Sequence, residues 1–354
     1  MNQLFYPHKF CLIAVIVFIG VFLMSCLPDL KTQLQQSPIL QIDYWGTNWQ
    51  QKPWQQRISA APDKLVRHIR LDNEDQGYAG NPAAAEPMPE ISAALESISS
   101  SLSPAINSML SARLIGVFVV DDMGTSGMAE AVADKDGNKR FGIIVLDRSI
   151  LLKRKANEWA TWKEESAFRI SPLNGSKLRM MIETEKNNNI VNAIRFIILH
   201  ELGHTLGIFS NAHPGWNDPP RPDQMNYPFV KLSWTMDEKE KVISLFDSKF
   251  PERENIKYYA FGNAKLAEEQ IGDVYAKMQQ QTNFVSLYAA TNLWDDFAET
   301  FVNYVHVVLD RRPWEAQIVN AEGKVAVIRS CFEEERCREK KEFMDQWFDN
   351  PLKN

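Results

Sequence analysis

The sequence lacks a basic stripe and an internal repeat, and it contains only four cysteines. Among its 354 residues, 39 lysines and arginines stand against 45 aspartates and glutamates, which gives a formal net charge of −6. Both signs are mixed along the chain, whereas a nucleic-acid-binding surface needs clustered cations. We therefore expect no nucleic-acid partner. The length suffices for one large domain or two modest ones, each with its own core.

An apolar run occupies residues 10–24 and follows Lys9, the single formal charge of the first 25 residues. It is too short for a comfortable membrane span and is typical of a signal-peptide core. The run leads into residues 23–26, Leu-Met-Ser-Cys, which resemble the bacterial lipobox, where the cysteine becomes N-terminal and lipidated. We expect residues 1–25 to be removed and Cys26 to hold the protein on a membrane through its lipid. An uncleaved anchor helix is the alternative.

Export as a lipoprotein also has consequences for the location of the protein and for the two cysteines that follow Cys26 in the chain. By resemblance to Gram-negative lipoproteins, Leu27 favours the outer membrane, with the protein facing the periplasm or the cell surface. In such a compartment disulfides persist, so Cys331 and Cys337 are expected to pair. Six residues of continuous helix span about 9 Å, too far for a disulfide, so the bond requires a break in the helix. The reduced pair is the alternative.

The most specific motif is His200-Glu201-Leu202-Gly203-His204. Apolar residues at helical spacing predict a helix over residues 190–206, with an asparagine cap before it. Two histidines four residues apart share one helix face and can reach one zinc ion. Glu201 is not a ligand in this arrangement, and its carboxylate can take a proton from zinc-bound water. We therefore expect one Zn²⁺ per chain and a hydrolytic enzyme.

A catalytic zinc site needs a third protein ligand and an open position. The metzincin pattern would place a histidine six residues after His204, where this chain has Ser210. The metzincin resemblance therefore fails. His213 lies nine residues after His204 in a proline-rich loop, and we do not expect it to be a ligand.

Residues 288–301 supply carboxylates for that role and resemble the third-ligand helix of gluzincin metallopeptidases, especially lethal-factor-like and related bacterial members. In that family a tyrosine is followed seven residues later by Glu-x-x-Ala-Glu or a close variant. The resemblance implies that Asp295 binds zinc, that Glu299 supports a ligand histidine from behind, and that Tyr288 stabilises the oxyanion. Because Asp295 replaces the usual glutamate and residues four apart share a face, Glu299 is the alternative third ligand.

The remaining patterns predict the fold. Buried strands are expected at residues 114–120 and 141–146, and a hairpin at 315–329. Helices are expected near residues 150–165, 190–206, 235–248 and 262–281, from 293, and from 332 to the C-terminus. Strands first and helices after indicate an α+β fold. The gluzincin resemblance implies a zincin-like catalytic domain with a small mixed sheet, the motif helix and a mainly helical C-terminal part.

Three regions are expected along the chain: the signal peptide at 1–25, an arm or linker at 26–110, and the zincin-like domain at 111–354. Residues 27–60 are polar and contain three tryptophans, so they form either a tether or an arm packed on the catalytic body. In zincins an edge strand beside the motif helix binds the peptide by strand addition. Residues 141–146 are our candidate for that strand.

These observations predict a zinc metallopeptidase, with an endopeptidase favoured. Its peptide or protein substrate would be hydrolysed by Glu201-assisted attack of zinc-bound water. The alternative is a surface lipoprotein that keeps the zincin fold to bind a metal or a partner without turnover. The aspartate at position 295 and the aromatic N-terminal arm favour this alternative.

Overall fold

The computed structural model describes residues 29–170, 177–216, 221–319 and 323–351. The expected signal peptide and Cys26 lie outside these residues and stay predictions. Within the described part of the chain, no helix is long and apolar enough to cross a membrane.

The structure confirms the expected α+β class, with helices and small sheets alternating along the chain. The helices are α1 Leu30–Gln35, α2 Ile42–Trp45, α3 Asp63–Gln76, α4 Pro89–Ser101, α5 Pro104–Arg113, α6 Arg148–Leu151, α7 Ala156–Glu165, α8 Ile190–Phe209, α9 Ile271–Gln281, α10 Leu293–Asn303 and α11 Arg338–Asp349. The strands are β1 Ile58–Ala60, β2 Ala83–Ala84, β3 Leu114–Asp121, β4 Gly127–Ala133, β5 Lys139–Asp147, β6 Phe168–Arg169, β7 Lys177–Met181, β8 Trp234–Met236, β9 Val242–Ser244, β10 Leu266–Ala267, β11 Glu315–Val319 and β12 Val325–Arg329.

The main sheet has the strand order β1-β3-β5-β4, and β2 also pairs with β3. β1 and β5 run parallel to β3, while β4 runs antiparallel to β5. The two predicted buried strands are confirmed as β3 and β5. However, β5 lies between two partners, so the expectation that residues 141–146 form the edge strand is wrong. The edge strand beside the motif helix is β4, which the sequence patterns did not predict, since alanine, glycine and glutamate are poor strand formers.

Helix α8 carries the motif and is buried on nearly all sides. Its first turn is capped by Asn189, whose side chain accepts a hydrogen bond from the amide of Asn192. The helix packs against β4 and β5 on one side and against α4, α7 and α10 elsewhere. An apolar helix of this kind is typical of a protein core, where packing rather than amphipathicity decides its place.

The contact between α8 and α10 is unusually close at Gly203. A Cβ atom on this glycine would lie 2.7 Å from the Cα of Ala298 and 3.1 Å from its Cβ. Only a residue without a side chain lets the two helix backbones approach to this distance. This contact brings the two sequence motifs together.

The arm at residues 29–60 packs on the main sheet. The Trp45 ring lies 4.8 Å from the Phe118 ring, and Trp54 is buried with its indole nitrogen donating to Asn107. The sequence left open whether this segment is a tether or a packed arm, and its described residues form a packed arm. Residues 58–113 then supply β1 and β2 to the main sheet and α4 to the packing of α8, so they share one core with the residues that follow.

Two predicted C-terminal helices differ from the structure. The helix expected over residues 235–248 is wrong, because this stretch forms the β8–β9 hairpin. The side chain of Asp237 accepts hydrogen bonds from the amides of Lys239 and Lys241, a local turn that competes with a helix. The helix expected over residues 262–281 is shorter in the structure, where only α9, Ile271–Gln281, is an α-helix. The hairpin at 315–329 is confirmed as β11 and β12, which extend a second sheet from β7.

A disulfide joins Cys331 and Cys337, whose Cα atoms lie 5.7 Å apart. The chain between them forms turns and a short 3-10 segment, and α11 begins only at Arg338. The break in the helix that such a bond requires is therefore present.

The close contact at Gly203 generates a stability test. In Gly203→Ala the added Cβ must push α10 away, so the free energy of unfolding should fall by about 1–3 kcal/mol, as in other overpacked cores. Gly272→Ala is the matched control, because this helical glycine has no atom near its Cβ position. Its free energy of unfolding should rise by up to about 1 kcal/mol through helix propensity. Urea titrations measure both, and equal changes in the two variants would contradict the close contact.

Candidate metal centre

Three potential ligands converge where α8 crosses α10. The Nε2 atoms of His200 and His204 lie 3.1 Å apart. The Oδ1 atom of Asp295 lies 3.7 Å from the former and 3.3 Å from the latter. Among the described residues, this is the one group of three that could hold a metal.

The geometry of this group fits a zinc ion. Tetrahedral bonds of 2.0–2.1 Å place neighbouring ligand atoms about 3.3 Å apart, close to the three separations found here. Two imidazoles and one carboxylate also match the donor types that zinc prefers. Although burial alone would raise it, contact with His204 and His200 keeps the pKa of Asp295 below its ordinary value. The carboxylate is therefore ionised and ready to act as a ligand.

The start of α10 holds Asp295 in position. Asn292 caps the helix by accepting from the amides of Trp294 and Asp295. Its side-chain amide and the hydroxyl of Thr291 each donate to Oδ2 of Asp295 at 2.6 Å. Because these donors occupy Oδ2, Oδ1 is the oxygen that faces the histidines.

Glu299 lies one turn further along α10, on the opposite nitrogen of His200. Its Oε1 is 2.9 Å from Nδ1 of His200 and 3.2 Å from the ammonium of Lys163, while Ser286 donates to Oε2 at 2.6 Å. Burial alone would raise its pKa, but the Lys163 charge and the contact with His200 lower it well below the ordinary value. The sequence left open which of the two carboxylates is the third ligand. In the structure, Asp295 lies beside the Nε2 atoms of both histidines, whereas Glu299 lies beside Nδ1 of His200.

Glu201 faces the open side of this group. Burial raises the pKa of its carboxyl group, which suits a group that must take up a proton. The carboxylate lies against Gly127, the first residue of the edge strand β4. A Cβ at that position would come within 2.8 Å of Oε1 of Glu201, so a side chain there would displace the carboxylate.

Three phenols line the same cleft. The Tyr288 ring stacks on the His200 ring at 5.1 Å, and the Lys163 ammonium lies 4.0 Å from its centre on the aromatic face. Burial raises the pKa values of Tyr288 and Tyr259 well above the ordinary value of a tyrosine. Tyr78 also faces the cleft, and burial raises its pKa to about 12. All three phenols are thus protonated and able to donate a hydrogen bond.

Sequence reasoning missed several of these residues. Lys163 is buried on α7, far from both motifs along the chain, and no local pattern marked it. Tyr259 lies in an irregular segment with a left-handed backbone (φ 57°), which no periodicity reveals. Trp216 contacts His204 edge-on at 5.9 Å from within the proline-rich loop. Only the tertiary fold brings the three together.

Two other histidines lie outside the group. His213 is buried against Gly207 and Phe297, and its Nδ1 lies 2.9 Å from the carbonyl of Pro214. His306 contacts the carbonyl of Ile182 through Nε2 at 2.7 Å. Burial lowers the pKa of both to about 3, so both are neutral core residues.

The metal group opens into a cleft of about 400 Å³ between the edge strand β4, α3 and the loop around Trp216. His200, Glu201, His204 and Asp295 line its floor together with the three phenols. A ligand in this cleft would therefore meet His200, His204, Asp295, Glu201 and the start of β4 at once.

No protein-family model, curated protein or solved structure matches this chain.

Proposed function

We propose that this protein is a zinc-dependent metallopeptidase that hydrolyses peptide bonds. The observation that carries the proposal is the convergence of His200, His204 and Asp295, with Glu201 facing the same cleft. A zinc ion bound there supplies Lewis-acid polarisation of a carbonyl and activation of a water molecule. His200, His204 and Asp295 would hold this ion.

Glu201 acts as the general base in this proposal. Its carboxylate lies next to the metal group without belonging to it, and its raised pKa favours proton uptake from the attacking water. The same carboxyl group can then return the proton to the leaving amine. Gly127 leaves the space that this carboxylate occupies.

The edge strand β4 supports a peptide as the substrate. Its inner side pairs with β5, and its start lies next to Glu201, where an added strand could pair with its outer side. An extended peptide paired there would carry one of its carbonyl groups past the metal group. A small rigid substrate would gain nothing from a strand edge, so this feature favours a polypeptide.

Tyr288 is proposed to stabilise the oxyanion that develops on the attacked carbonyl. Its protonated phenol lines the cleft, and two neighbours fix its ring, one by stacking and one by its charge. Donors that are held in place before the reaction are the ones that stabilise such charge effectively.

The role of Glu201 can be tested by an isosteric change. Glu201→Gln should retain zinc, because the carboxylate is not a ligand, and should lower kcat by about 10²–10⁴-fold because the base is lost. The measurements are zinc content by atomic absorption and cleavage of a broad peptide library. Unchanged hydrolysis in the variant would contradict the proposal. Zinc binding without any cleavage by the wild type would favour the alternative, a zincin-like protein that binds without turnover.

The two carboxylates of α10 should differ in their effect on zinc. Asp295→Asn replaces a proposed ligand and should abolish stoichiometric zinc binding at micromolar protein concentration. Glu299→Gln leaves the three proposed ligands in place but alters the support of His200 and removes the charge that pairs with Lys163, so it should weaken zinc binding by about 10–100-fold. Competition with a chromophoric chelator measures both affinities. A greater loss in Glu299→Gln would exchange the two roles.

Removal of single phenols should separate Tyr288 from its neighbours. Tyr288→Phe keeps the stacked ring and should retain zinc, but kcat should fall by about 10²–10³-fold if its hydroxyl binds the oxyanion. Tyr259→Phe is the matched control, since this phenol lines the same cleft without touching the His200 ring. A larger loss of kcat in Tyr259→Phe would move the role to that residue.

A further inference from the structure

The hydrogen bonds along β4 show which part of its outer edge a substrate could pair with. In an antiparallel pair, the backbone groups of successive residues point alternately toward the paired strand and away from it. Just before β4, the carbonyl of Ser126 accepts a hydrogen bond from the amide of Asp147 at the end of β5. This bond places the even-numbered residues toward β5. Gly127, Ala129 and Ala131 therefore turn their backbone groups outward.

Outward groups at both ends of β4 already have partners within the protein. At the start of the strand, the hydroxyl of Thr125 donates to the carbonyl of Gly127 at 3.2 Å. At its end, Gln41 of the arm forms a parallel bridge with Ala133. The protein thus covers the two ends of this edge itself, a common way to prevent unwanted pairing with another chain.

Between these ends, Glu130 engages a further outward group with its own side chain. Its Oε1 accepts from the amide of Ala131 at 3.0 Å and from the indole of Trp216 at 3.2 Å. Its Oε2 lies 3.6 Å from Nε2 of His68, and the whole side chain is buried. Because these neighbours hold the carboxylate in place, an added strand cannot reach the amide of Ala131 without displacing it.

Ala129 is different, because its outward groups face the cleft. The structure gives neither its amide nor its carbonyl a hydrogen-bond partner on this side among the described residues. Ala129 lies two residues beyond Gly127, which corresponds to about 7 Å at the rise of a β-strand. Gly127 itself adjoins the carboxylate of Glu201. An extended peptide that passes the metal group can therefore pair with Ala129, and it meets the carboxylate of Glu130 next.

We propose that Glu130 is a specificity-determining residue that ends the pairing between the sheet and the substrate at Ala129. A peptide gains backbone hydrogen bonds from β4 only within about three residues of the scissile bond, counted at the rise of a β-strand. Residues further along on this side gain none, so the protein recognises a short accessible stretch of chain. This inference rests on the proposed peptidase function, because the paired stretch is measured from the metal group.

Zinc-anchored peptides can measure the length of the paired stretch. A hydroxamate group binds zinc and fixes the register, so the probes are acetylated alanine peptides of increasing length that end in a hydroxamate. A second series carries this group at the N-terminal end and covers the opposite direction. Calorimetry with the zinc-loaded protein measures each Kd. In one series, affinity should rise by about 5–100-fold when the residue opposite Ala129 is added, the range of two net hydrogen bonds, and then stay constant.

Two substitutions at one position test whether Glu130 sets the limit. Glu130→Ala removes the acceptor of the Ala131 amide, so affinity should rise again by about 5–100-fold when the peptide is long enough to pair there. Glu130→Gln is the matched control, because its amide oxygen can still accept from Ala131. Its affinities should level off at the wild-type length. Thermal unfolding checks that both variants are folded.

Methylated peptides test the same pairing in the wild type alone. N-methylation of the peptide residue opposite Ala129 removes a backbone donor and should abolish the gain from that residue, whereas methylation of its neighbour should not. Affinity that rises with every added residue in the wild type, or a limit that persists in Glu130→Ala, would overturn the inference. A limit at Ala129 in a protein that cleaves no peptide would support the inference and refute the peptidase function. A protein that binds neither zinc nor hydroxamate would refute both.

Discussion

The candidate site depends on the close contact between Gly203 and Ala298. On α8, His200 lies three residues before Gly203 and His204 one residue after it. On α10, Asp295 and Glu299 have the same positions relative to Ala298. Both pairs therefore flank the crossing in the same way, since residues four apart share one helix face. A wider separation of the helices would leave the histidines out of reach of the carboxylates.

Burial of so much charge at this crossing requires compensation, because an unpaired charge in the core is costly. Lys163 supplies it for Glu299, and the histidines together with two donors before α10 supply it for Asp295. The lysine also holds the face of Tyr288. One cation thus fixes both the Tyr288 ring and the carboxylate beside His200.

The sequence predicted the parts of this arrangement that depend on local periodicity. The motif helix, its cap and the two buried strands follow from spacing within single elements, and the resemblance to gluzincins pointed to Asp295, Glu299 and Tyr288. The edge strand was missed because alanine and glutamate hide its alternation, and the β8–β9 hairpin because a side-chain turn at Asp237 overrides a helical pattern. Lys163, Tyr259 and Trp216 enter the site only through tertiary packing, which no local pattern encodes.

The space at Gly127 has a consequence for how this protein can diverge. Any other residue at the start of β4 would place its Cβ against the carboxylate of Glu201. A descendant that replaces this glycine must move the Glu201 carboxylate, even if both histidines persist. In related chains, the residue at this strand position would thus separate lineages that keep the carboxylate beside the two histidines from lineages that keep only the histidines.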